Sequence, residues 1–150
     1  MALSVKRVTL WRAKVKDRPG ALAEILEPVA AAGSDLQVVM GYRVSGNDVE
    51  ATIELYPVSG RRLTEAVEGA GLTPSEIPTL LVSGDNKPGL AHAVARAIAD
   101  AGINLMFLVA QVVGRKYSAV FGFHSDSDAR LALKQIRRAA TALRTSRLTS

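Results

Sequence analysis

The sequence predicts an α+β chain: two copies of one small unit in tandem, each running strand, helix, strand, strand, helix, strand, their sheets side by side with helices on one face. Three observations predict it. A shift of 69 residues lays 19–36 over 88–105 with six identities in eighteen positions, Pro19/Pro88, Gly20/Gly89, Ala30/Ala99, Ala32/Ala101, Gly33/Gly102 and Leu36/Leu105. Runs of alternating apolar residues bracket a stretch of helical period in each copy. Finally, 150 residues with 48% hydrophobic and 22% charged side chains are ordinary for one compact domain or two small ones.

Taken in order, a first strand (8–15, and 79–83 in the second copy) enters a short loop, Asp17-Arg18-Pro19-Gly20 or Asn86-Lys87-Pro88-Gly89, with proline placed near the start of a helix. The helix carries the apolar stripe Leu22, Ile25, Leu26, Val29 or Ala91, Val94, Ala95, Ile98, and Gly33 or Gly102 ends it in a left-handed conformation. Second strands (36–44 and 105–113) turn at Ser45-Gly46-Asn47 or Gly114-Arg115-Lys116 into third strands (49–55 and 117–123). Ser59 and the run 125–128 offer N-caps to second helices, 61–68 and 129–143, and 72–77 reads as a short edge strand or a linker. This order is the split βαβ, or ferredoxin-like, unit. The expected units are 1–76 and 77–150.

Strand alternation assigns Trp11, Ala13, Leu36, Val38, Met40, Ala51, Ile53 and Leu55 to the helix side of the first sheet, and Leu80, Val82, Leu105, Phe107, Val109, Ala119, Phe121 and Phe123 to that of the second. On the other side of the first sheet Arg12 and Lys14 are expected beside Glu50 and Glu54 as exposed ion pairs. The same side of the second sheet collects Leu81, Met106, Leu108, Ala110, Val112 and Val120, an apolar surface that a soluble monomer rarely leaves open. A homodimer through Leu81, Met106, Leu108, Val112 and Val120 is the simplest cover.

Composition removes several classes of function. Without cysteine there is no disulfide, thiolate metal site or cysteine nucleophile, and a reducing, cytoplasmic setting is expected; two histidines leave little for a metal centre. No apolar run approaches a membrane span. The net charge of +5 comes from one segment: 129–150 holds six basic residues and no acid, leaving the other 128 residues at −1. An amphipathic helix with an arginine-rich outer face explains that run, and nonspecific nucleic-acid binding through it is the alternative function. The RNA-recognition motif shares the topology but stacks bases on third-strand aromatics, and here Ser118 and Val120 stand at those positions. No GxSxG, P-loop, GxGxxG or HExxH is present, so no catalytic residue, cofactor or metal is assigned.

The segments Asp17-Arg18-Pro19-Gly20-Ala21-Leu22 and Asn86-Lys87-Pro88-Gly89-Leu90-Ala91, each followed by Ala-Gly-x-(Asp/Asn)-Leu, resemble the ACT domain in both halves of the chain. The resemblance implies a non-catalytic regulatory module that binds an amino acid or similar small effector, usually at the interface between two units. It implies sites in which loop and strand-start residues come from opposite units, Asp17 with Asn104 and Asn86 with Asp35, beside Pro19 and Gly20 or Pro88 and Gly89. The residue chemistry agrees: a carboxylate seeks the backbone N–H groups of a helix start where glycine presents no Cβ, and an ammonium seeks acceptors. The same Asp and Asn side chains also stabilise turns, and the glycines equally serve close helix packing.

Overall fold

The computed structural model describes residues 3–44, 46 and 48–146. Its elements are β1 (Ser4–Val8), β2 (Trp11–Lys16), α1 (Ala21–Ala31), β3 (Val38–Arg43), β4 (Glu50–Tyr56), α2 (Arg61–Gly69), β5 (Thr73–Pro74), β6 (Thr79–Asp85), α3 (Leu90–Asp100), β7 (Leu105–Val113), β8 (Lys116–Phe123) and α4 (Asp126–Ser146). They form two compact units, one of Thr9–Glu76 and one of Ile77 onward together with β1. Each has a four-stranded antiparallel sheet, in the orders β3-β4-β2-β5 and β1-β6-β8-β7. The expected turn residues Ser45 and Asn47, and Arg147 of the basic run, lie outside the described residues.

In the first unit both helices cover one sheet face, burying Ala13, Ile53 and Leu55 against Ile25 and Val29 of α1 and Leu63 and Val67 of α2. The second unit repeats this with Leu80, Val82, Phe121 and Phe123 under Val94 and Ile98 of α3 and Ala132 and Ile136 of α4. Apolar side chains at helical spacing explain both layers.

The outer strand of the second sheet corrects the expected boundary at residue 1. The expected first strand, 8–15, divides near Thr9: β2 stays in the first unit, while β1 pairs antiparallel with β6, Val5 opposite Val82 and Val8 opposite Thr79. It takes the place beside β6 that β5 takes beside β2. In the second unit β8 is followed by α4, 21 residues long, and the position beside β6 is filled by Ser4–Val8, which precede β2 in the chain. Burial of Val5 (3% exposed) and Val8 (6%) holds β1 there, and Arg137 Nη2 of α4 donates to the Val5 carbonyl at 3.0 Å.

An ion pair from Arg7 of β1 reaches Asp126 at the start of α4 and holds its carboxyl below the ordinary aspartate value; Lys116 does the same for Asp85. A depressed carboxylate contributes stability that is present above the unfolded value, about pH 3.9, and is lost as pH falls through the folded one. Asp85→Asn/Asp126→Asn should therefore flatten the acid limb of a plot of urea midpoint against pH. An unchanged limb would assign acid sensitivity to other groups.

A second correction concerns which side chains of β3 and β7 face the helices. Leu105 pairs with Phe123, but the register then slips by one residue, so that Phe107 pairs with Gly122 and Leu108 with Phe121. One extra residue reverses the alternation. Leu108, Ala110 and Val112 thus lie on the helix side, opposite Phe121, Ala119 and Tyr117, whereas Phe107 and Val109 lie on the other. Phe107 covers Gly122 so closely that a Cβ there has no room. The first unit does the same: Leu36 packs into the helix-side core, and Val39, Gly41 and Arg43 then share that side through their partners Leu55, Ile53 and Ala51.

Candidate functional site

The repeated loop builds the same device twice. Pro19-Gly20 and Pro88-Gly89 stand at the corners of β-turns closed by Ala21 N–H to Arg18 O at 3.2 Å and Leu90 N–H to Lys87 O at 3.1 Å. Gly20 (φ 90°, ψ −11°) and Gly89 (φ 83°, ψ 0°) take the positive φ that a type II turn requires at its third residue. These glycines, rather than the prolines, are the helix N-caps, and no side chain caps α1 or α3. A further bond ties each loop to the facing hairpin: Asp17 N–H to Val49 O at 2.8 Å, and Asn86 N–H to Arg115 O at 2.7 Å. At the far ends, Gly33 and Gly102 have φ of 79° and 73°, and Ile103 N–H returns to Ile98 O at 3.2 Å, a Schellman closure. Ser125 Oγ accepts from Asp128 N–H at 3.1 Å as expected of a cap, whereas α2 begins after Gly60 rather than on Ser59.

In the first unit a cavity of about 350 Å³ opens between this loop, α1 and the edge strand β3. Val15, Ala21, Leu22, Ala51 and Ile53 form its apolar surface, and Asp17, Arg18, Tyr42 and Arg43 its polar part. Asp17 Oδ2 and Arg43 Nε are paired at 3.3 Å, with the side chains 37% and 57% exposed. Arg18 is held by Glu24 at 2.5 Å. The Tyr42 hydroxyl donates to Glu54 Oε2 at 2.9 Å; its pKa is pushed up by burial first and by that carboxylate second.

Glu54 corrects another expectation. It lies opposite Arg12, as strand pairing requires, but is fully buried instead of forming an exposed pair; its Oε1 and the Arg12 Nε have no hydrogen-bond partner among the described residues. Lys14 faces Thr52, and Glu50 faces Lys16.

The second unit has a smaller groove, about 250 Å³, between α3 and the edge strand β7, lined by Ala91, Ala95 and Ala99 on the helix, Leu108 and Ala110 on the strand, and Asn104 at the strand start. Ladder positions explain the difference from the first unit. Arg43 pairs with Ala51, and its counterpart Val112 pairs with Tyr117. Tyr117 is 3% exposed and its hydroxyl pKa is raised by burial. A large ring therefore stands where the first unit has a methyl group.

Of the expected site residues, Asp17 lines the first cavity and Asn104 the second, whereas Pro19, Gly20, Pro88 and Gly89 form the turns. Asp35 and Asn86 are exposed and line neither cavity. Sequence reasoning missed Arg43, because strict alternation from Leu36 put it on the wrong side of the sheet. The expected dimer patch also changes: Leu81 and Val120 are each only 5% exposed, and Leu108 and Val112 face the helix side. On α4, Arg130, Lys134 and Arg138 are exposed. Among the described residues no acidic or histidine cluster could hold a metal ion, and no helix is long and apolar enough to cross a membrane.

Comparison with known proteins agrees with this architecture. Residues 78–143 match the family model of the ACT domain. Among solved structures the chain is similar to a protein from Bacteroides thetaiotaomicron (TM-score 0.70, 14% identity, 87% of this chain and 89% of that one). It is also similar to the ligand-free regulatory subunit of aspartate kinase from Thermus thermophilus (TM-score 0.60, 16% identity, 93% and 97%) and to that of Thermus flavus (TM-score 0.59, 16%, 93% and 97%). No curated protein matches the chain by sequence.

Proposed function

We propose that this chain, whose residues 78–143 are an ACT domain, is a non-catalytic regulatory or sensor protein that binds an amino acid or similar small effector. The observation that carries the reading is the duplicated Pro-Gly helix entrance, uncapped by any side chain, beside a small cavity that holds opposite charges in the first unit. The similar aspartate kinase chains are named as regulatory subunits, which supports the same class of role. Asp17, Asp35, Asn86 and Asn104 are proposed to contribute to binding.

A thermal-shift screen of the twenty amino acids tests it. A ligand that binds only the folded chain stabilises it by about 2.7 kcal/mol at a hundredfold excess over Kd. At least one amino acid should raise Tm, and Asp17→Ala should reduce the rise. No shift with any of them, together with tight RNA binding that weakens steeply with salt, would favour the exposed cations of α4 as the functional surface.

We further propose a homodimer, now through the β7 edge. This nine-residue strand has no charged residue and exposes Met106 (47%), Val109 (49%) and Val113 (69%), an edge that soluble proteins normally protect. Met106→Glu or Val109→Lys should move the sedimenting species from dimer to monomer mass; an unchanged mass rejects this interface.

A further inference from the structure

We infer that the first unit alone carries a clamp for the zwitterionic end of a neutral, aliphatic α-amino acid; this rests on the effector-binding reading above and names its ligand class and stoichiometry. Asp17 and Arg43 face each other at 3.3 Å on the rim of the β2–α1–β3 cavity, both partly open to solvent. An exposed pair of this kind contributes about 0–1 kcal/mol, so little is lost when it turns toward a ligand. An α-amino acid carries ammonium and carboxylate on one carbon and can lie antiparallel to the pair, its ammonium on Asp17 and its carboxylate on the Arg43 guanidinium, closing a ring of four charges.

The side chain of such a ligand then meets Val15, Ala21, Ala51 and Ile53. These residues offer no hydrogen-bonding side chain, so a polar or charged ligand side chain meeting them would lose water without a partner. About 350 Å³ is near the lower end for small-molecule sites and suits an amino acid. The second unit lacks every part of the clamp: Asn86 replaces Asp17, Val112 replaces Arg43, and Tyr117 occupies the position of Ala51.

Isothermal titration of the full chain tests this with alanine, valine and leucine, and with two analogues of valine, isovalerate without the ammonium and isobutylamine without the carboxylate. The expected result is one amino acid bound per chain, at least about tenfold weaker binding of either analogue, and a similar loss in Asp17→Asn and Arg43→Gln. Lys134→Ala, on the exposed face of α4, should leave affinity unchanged. Two equivalents bound, or aliphatic binding indifferent to Asp17, Arg43 and both analogues, overturns the clamp. Binding of some other amino acid, insensitive to Arg43→Gln, overturns the clamp while the effector reading stands; no binding by any of the twenty overturns both. The analogues read the clamp in the wild-type chain even if a variant folds poorly.

Discussion

A chain lacking residues 1–8 should lose most of the stability of its second unit while the first unit keeps its sheet. The strand removed buries Val5 and Val8, each worth about 1.5–3 kcal/mol by burial alone. Its loss uncovers β6, whose Leu80, Leu81 and Val82 are at most 5% exposed. Together the two valines account for roughly 3–6 kcal/mol, against a typical total of about 5–15 kcal/mol for a domain. Amide exchange should show lost protection in β6 and β8 and retained protection in β2 and β4, where pairing does not involve β1. A free edge on β6 also favours aggregation, and a peptide spanning residues 3–10 should restore part of the protection if strand pairing is what was lost. Unchanged exchange in β6 would mean that β1 decorates the sheet without supporting it.

The expectation that failed here shows what was legible. The duplication could be read directly, because Pro-Gly at the helix entrance and Ala-Gly-x-(Asp/Asn)-Leu at its exit are local turn chemistry that needs no partner elsewhere. The topology followed from that repeat, and the cores of both units follow its apolar stripes. Strand β1 was not legible for the opposite reason. Lys6 and Arg7 interrupt its apolar residues, and its partner Thr79–Asp85 lies some seventy residues away, so nothing local announces the pairing. The extra residue after Leu36 and Leu105 has no sequence signature either, yet it reverses every later side chain of β3 and β7. That slip hid Arg43 from the site and placed Leu108 and Val112 on the wrong surface. Burial of Glu54 escaped as well, since a strand pattern tells which side a residue faces and not what covers it.

Exchanging the side chains at the Ala51 and Tyr117 positions should separate stability from binding. Tyr117→Ala removes a ring buried to 3% in the second core and is expected to cost about 3–5 kcal/mol, the range for truncating a large core aromatic. Urea unfolding should report this as a lower midpoint, and the α3–β7 groove should lengthen toward the Asn86 loop, where Ala51 leaves space in the first unit. Without Arg43 and Asp17 equivalents, the new space should gain no affinity for an amino acid. The reverse change, Ala51→Tyr, puts a ring into an open cavity and not into a packed core, so overpacking of about 1–3 kcal/mol is avoided and the midpoint should move little. Binding should nevertheless be abolished, because the ring occupies the volume meant for the ligand side chain. If Ala51→Tyr retains full affinity, the ligand does not enter this cavity, and if Tyr117→Ala unfolds no more easily than the parent, the second core does not depend on the ring that distinguishes the two halves of the repeat.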